Sequence, residues 1–176
     1  GIDCALLYDP QHFKVTSSKS IKFKIPGNER FRSRNKLVVS GELLGEKIHF
    51  IVSHWPSRRG GEAKSRPKRI DAAKLTKSIV DSLKQMDKKA KVIVMGDFND
   101  DPISPSIKDF LNANGSTILK NNQMFNTMYD HHKKGIGTLA YRDQWNLFDQ
   151  FILTPSLVLK PSDIDSYNRY NSFSYY

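Results

Sequence analysis

Val92-Ile93-Val94-Met95-Gly96-Asp97-Phe98-Asn99-Asp100 is the stretch on which the reading of this chain turns. Its first four residues are apolar and mostly β-branched, which predicts a short buried strand. Gly96 then frees the backbone, and Asp97 and Asn99 follow two residues apart, so at a strand's period their side chains point the same way. One supplies an anionic acceptor; the other supplies an uncharged amide that both donates and accepts. The pair suits phosphate ester hydrolysis, with Asp97 orienting and deprotonating water and Asn99 hydrogen-bonding a phosphoryl oxygen or the water. Asp and Asn are equally common at strand-end turns, and the run alone does not separate the two readings. A calcium loop is excluded, because the sixth position needs Gly and holds Pro102.

Upstream lies His49-Phe50-Ile51-Val52-Ser53-His54-Trp55-Pro56-Ser57-Arg58-Arg59-Gly60-Gly61. His54 closes a strand-like run and opens a basic, Gly-containing loop. An imidazole there can donate to a phosphoryl oxygen or exchange protons near neutral pH. Arg58 and Arg59 have the forked geometry that meets phosphate. A lone His beside a solvated basic loop is the plainer alternative. A phosphate-binding P-loop is excluded, since Ala63 precedes Lys64-Ser65 and Arg58 stands where Gly is required.

Further out, Ile2 to Tyr8 is a strand-like apolar run stopped by Asp9-Pro10. Ile21-Lys22-Phe23-Lys24-Ile25 alternates at the period of a half-exposed strand. Strands are predicted at Lys36 to Glu42 and Lys47 to Ser53, joined as a hairpin through Leu43-Leu44-Gly45-Glu46. A helix is expected from Ser65 to Met86, with Ile70, Ala72, Ala73, Lys77, Val80 and Leu83 near helical spacing. Ser104-Pro105 suits the start of a short helix reaching Leu111. Residues 112–140 read as irregular, including Asp130-His131-His132, taken as a solvated loop. Leu147 to Thr154 returns to strand. Strand pairs with interposed helices give mixed α and β, and no more than that.

With 176 residues, 38% hydrophobic and 26% charged, the chain is sized and composed for one globular domain. No apolar run is long enough to span a bilayer. The single Cys4 excludes an internal disulfide and any cysteine-built zinc site. A formal charge of +10 favours a phosphorylated or polyanionic partner, although it specifies neither fold nor chemistry.

Taken in order, the His-Trp-Pro-Ser-Arg-x-Gly-Gly run at His54 to Gly61, the basic helix, Gly96-Asp97-Phe98-Asn99-Asp100 and Trp145-Asn146-Leu147-Phe148-Asp149-Gln150 resemble the endonuclease/exonuclease/phosphatase superfamily, deoxyribonuclease/exonuclease III-like. Gly1 to Tyr8 resembles the strand that follows that family's metal-binding glutamate. The resemblance implies an α+β fold, a four-layer α/β-β/α sandwich of two mainly antiparallel sheets flanked by helices. It also implies that residues 1–176 form a single domain incomplete at both ends. By the same resemblance Asp97 positions the attacking water, Asn99 contacts the phosphate, His54 donates to the phosphoryl oxygens or leaving group, and Asp149 orients a second histidine. Arg34 resembles a substrate-phosphate contact, Arg58 a substrate-binding residue, and Tyr141 and Arg142 line the cleft.

The cofactor implied is Mg²⁺ (or Mn²⁺), its main ligand a Glu expected upstream of Gly1, with the remaining metal ligands unknown. A Ser-Asp-His run is also expected, and nothing after Asp165 supplies it. The isolated chain is therefore expected to be a weak catalyst or none, and a complete parent competent. The implied activity is metal-dependent phosphoesterase, nuclease-like. A hydrolase of small phosphorylated sugars, lipids or inositides and a non-catalytic nucleic-acid-binding module remain as alternatives.

Overall fold

A computed structural model gives the structure and describes residues 3–25, 28, 31, 33–120, 122–141 and 143–158. Its centre is the hairpin of β2 (Lys36–Leu43) and β3 (Glu46–His54). Leu43 pairs with Glu46, and the two residues between them, Leu44 (φ 52) and Gly45 (φ 81), both take positive φ. That is the two-residue turn whose twist matches the flanking strands. The predicted hairpin is present, with Leu44 in a conformation that Gly or Asn would adopt at less cost.

From His54 the chain crosses the sheet through α1 (Glu62–Met86) and returns as β4 (Lys91–Asp97), parallel to β3. A parallel return needs such a crossover. The helix buries Ala72, Ala73, Thr76, Ile79, Val80 and Leu83 against the sheet, a stripe at helical period. Of the residues expected on that stripe, Ile70 and Lys77 are only half-buried. The helix also begins before Ser65, whose Oγ donates back to the Gly61 carbonyl at 2.7 Å from inside the first turn. Val38, Ile51, Val92, Val94 and Ile152 complete the core from the sheet.

β1 (Phe13–Ile21) flanks β2, and β9 (Asp149–Leu153) flanks β4. Within residues 112–140, where no regular structure was expected, lie β5 (Ala113–Asn114), β6 (Met124–Asn126), α2 (Tyr129–Lys133) and β7 (Leu139–Tyr141). These elements are too short for hydrophobic period to reveal them; β6 is a strand because β9 lies beside it, and β5 because it pairs with β6. The seven-stranded sheet runs β1-β2-β3-β4-β9-β6-β5, and β7 pairs with β8 (Gln144–Asn146) in a separate two-stranded ribbon. The class is therefore mixed α+β with a large, mainly antiparallel sheet and a second, small one. A single turn of π-helix, Ser106–Phe110, replaces the short helix expected from Ser104, and Ile107 joins the core.

Residues 3–8, the described part of the run before Asp9, form no ladder, although the run reads as a strand. Apolar pattern does not supply a pairing partner, and among the described residues no strand forms a ladder with it. Among the described residues no helix is long and apolar enough to cross a membrane.

Candidate active site

Three strands end side by side at one edge of the sheet. In register, His54 of β3 faces Asp97 of β4, and Asp97 faces Asp149 of β9. Directly paired residues share a face of the sheet, so His54, Asp97 and Asp149 gather on one side of it. His54 Nε2 lies 3.4 Å from Asp97 Oδ2, and both side chains are about a third exposed, open to a ligand. Burial pushes the His54 imidazole below its ordinary value; Asp97 and Asp149 pull it back, while Arg34 adds to the depression. Burial thus favours the neutral form of the ring, which offers one N–H.

Gly96 makes this convergence possible. It pairs with Ser53 at φ 130, and a Cβ there would come within 2.0 Å of the Ser53 carbonyl oxygen. Beyond Asp97 the chain turns sharply: Asp97 Oδ1 accepts from the Asn99 backbone N–H at 2.8 Å, and Asn99 takes φ 51. Buried Asn99 donates through Nδ2 to the Trp55 carbonyl at 3.0 Å. Its amide oxygen and second N–H remain for a ligand.

Below this edge a buried ionic network holds the loop. Arg69 of α1 and Asp100 are almost wholly buried, and Arg69 Nε lies 2.7 Å from Asp100 Oδ1, an ion contact without an aligned hydrogen bond. Ser106 Oγ donates to Asp100 Oδ2 at 2.5 Å, and Gln150 Nε2 donates to the Asp100 carbonyl at 2.6 Å. Through Gln150 the same network fixes the strand carrying Asp149. None of Arg69, Asp100 and Gln150 was singled out from sequence. A charged residue within the buried stripe of α1 was the signal available for Arg69.

The substrate-binding residues expected from sequence divide. Arg34 lies close enough to His54 to act on it electrostatically, and its Nε is buried without a hydrogen-bond partner among the described residues. Arg58 is turned to the protein: it donates to the Asn99 carbonyl at 2.9 Å, pairs with Asp100 and Asp101, and stacks 4.5 Å from the Phe148 ring centroid. Tyr141 stands exposed on the ribbon, and Arg142 lies outside the described residues. His132, read as part of a solvated loop, has Nδ1 3.9 Å from Asp101 Oδ1.

The sequence profile of the endonuclease/exonuclease/phosphatase family matches residues 1–172. The chain belongs to that family. Solved structures agree in fold at low identity. Truncated TDP2 of Caenorhabditis elegans superposes with a TM-score of 0.57 at 16% identity, over 84% of this chain and 56% of that one. The human Nocturnin catalytic domain with bound sulfate anion gives 0.55 at 17%, over 83% and 55%. Sphingomyelinase C from Streptomyces griseocarneus gives 0.54 at 14%, over 84% and 51%. This family member thus spans about half the length of the structures it resembles. No curated protein sequence matches it.

For a divalent cation the edge offers hard oxygen donors. Asp97 and Asp149 face each other directly, a like-charge pairing that is unfavourable across strands unless a cation or proton intervenes. Mg²⁺ is typically held by one or two carboxylates, with water and substrate oxygens completing its shell. These two carboxylates meet that minimum, and among the described residues no three or more His, Cys, Asp or Glu side chains are placed to hold a metal ion together. Residues after Val158, where the Ser-Asp-His run was sought, lie outside the described residues.

Proposed function

We propose that the chain is the core of a divalent-metal-dependent phosphodiesterase that cleaves nucleic acid. The observation that carries this reading is the adjacency of His54, Asp97 and Asp149 across three neighbouring strands, with Asn99 in the turn that follows. Asp97 holds the attacking water and takes its proton. The water oxygen bonds to phosphorus, the ester P–O bond breaks, and the leaving oxygen takes up a proton from solvent. His54, neutral and with one N–H, donates to a phosphoryl or leaving oxygen. Asn99 adds a neutral donor without repelling the phosphate, and Arg34 brings an N–H that no acceptor among the described residues occupies. Arg58, Asp100 and Arg69 position the loop on which Asn99 sits. A divalent ion, when bound, would polarise the phosphate and offset charge on its oxygens. Asp149 and Asp97 are the side chains that would hold it.

The excess of 28 Lys and Arg over 18 Asp and Glu favours a polyanion over a small ester. The intact protein should cleave an oligonucleotide with Mg²⁺ or Mn²⁺ and lose that activity with a chelator. Asp97→Ala should lower the rate by about 10²–10⁴-fold while oligonucleotide binding persists. Wild-type turnover by Asp97→Ala would remove Asp97 from the mechanism. Cleavage of small phosphorylated sugars or lipids in preference to oligonucleotides would overturn the substrate assignment.

A further inference from the structure

The β7–β8 ribbon is the element of this fold whose side chains have least to do with the core. All three residues of β7 are exposed, and so are Gln144 and Trp145 of β8. An isolated two-stranded ribbon is marginally stable, yet this one is anchored at its base. Thr138 N–H donates to the Asn146 carbonyl at 2.8 Å. Its hydroxyl accepts from the backbone N–H groups of Phe148 at 3.1 Å and Asp149 at 3.2 Å. Gly137 packs so closely that a Cβ there would lie 2.9 Å from the Trp145 Cβ. The ribbon is thus tied to the residue that flanks Asp97, and its position relative to the active-site edge is fixed.

Its chemistry is that of a stacking surface. Trp145 is 62% exposed and pairs in register with Ala140. Its cross-strand neighbour is therefore a methyl group, which leaves the indole face uncovered. The opposite face of the ribbon carries Leu139 and Tyr141 beside the polar Asn146 and Gln144. Exposed Lys133 and Lys134 stand where α2 leads into the ribbon, and Asp143 lies in its turn. The chain as a whole is at +10. An exposed aromatic plane next to a phosphate-directed site on a cationic protein matches a strand that offers both phosphates and free base faces. Bases within a duplex are already stacked and do not offer such a face.

We propose that the β7–β8 ribbon is a docking element for single-stranded nucleic acid, with Trp145 stacking on an unpaired base beside the phosphate held at the Asp97 edge. This deepens the nuclease reading and rests on it for the identity of the neighbouring site. Its test is a binding measurement with chelator present, which silences metal-dependent cleavage. A short fluorescein-labelled oligothymidylate is titrated with the full chain and followed by anisotropy, alongside a matched strand of abasic spacers. Trp145→Ala should weaken oligothymidylate binding about tenfold, Trp145→Phe should restore most of it, and the abasic strand should bind wild type and Trp145→Ala alike. Ala140→Leu, which covers the indole face without removing it, should weaken binding in the same direction.

Equal affinity of wild type and Trp145→Ala for oligothymidylate would overturn the proposal. So would equal affinity of the wild type for the thymidine and abasic strands. Trp145-dependent self-association in sedimentation, or Trp145-dependent partition onto phosphatidylcholine vesicles, with oligonucleotide binding independent of Trp145, would assign the ribbon to another occupant and overturn it too. Cleavage that survives Asp97→Ala would defeat the hydrolase reading and leave the binding result standing.

Discussion

Lys36 shows how much a single side chain can be asked to bear. It opens β2 with only 3% of its surface exposed, its amine 5.3 Å from the Trp55 ring centroid and 5.9 Å from that of Phe23. No carboxylate pairs with it among the described residues; the titratable group that acts on it is the Cys4 thiol. Burial pushes its amine down to about 7. A lysine whose folded value lies below its unfolded value binds more protons when unfolded. Stability should therefore rise with pH from about 7 towards the ordinary lysine value of about 10.4, and lie flat on either side of that window. Lys36→Met should remove this rise and stabilise the fold at pH 7 by about 1–3 kcal/mol, measured by urea unfolding across the pH range. An unchanged pH profile in the variant would show that the amine is not buried as charge. Nothing in the sequence marks Lys36, because an alternating strand pattern does not reveal which strand end is roofed by Phe23 and Trp55.

At the scale of elements, the fold depends on how α1 and the loop after β4 are joined. The apolar stripe of α1 fixes which face it buries, but Arg69 fixes where along the sheet it sits, because Asp100 must meet it away from water. Removing one member of a buried pair leaves the other uncompensated. Asp100→Ala should therefore cost about 3–5 kcal/mol, read as a lower unfolding midpoint, and Arg69→Met combined with Asp100→Ala should recover part of that loss. A single variant that melts like wild type would show the pair to be solvated. The elements themselves were largely legible in the sequence. The β2–β3 hairpin, α1, β4 and β9 each carry enough residues for period and turn chemistry to speak. The elements that escaped, β5, β6, α2 and β7, are too short for any period to reveal them.

On the scale of the whole molecule, the surplus of positive charge and the site at one sheet edge act together. Binding to a single strand through about three phosphate contacts should weaken about twentyfold for a fourfold rise in salt, a slope obtained by titration at several ionic strengths. A flat salt response would mean that the charge excess plays no part in binding. The residues that meet at the edge were named from sequence: His54 and Asp97 each close a recognisable strand, and Asp149 came from the family resemblance. Their types and their places at strand ends are properties of the chain alone. That His54, Asp97 and Asp149 stand abreast was decided by the register of β3, β4 and β9, which no local pattern encodes. The turning of Arg58 inward to Asp100 and Asp101, and the exposure of Trp145, were likewise decided by packing. Local sequence sets what each segment can form, because period, turn residues and capping act over a few residues. Which side chain finds a partner and which is left open depends on segments some 40 or more residues apart, brought together only when the core closes.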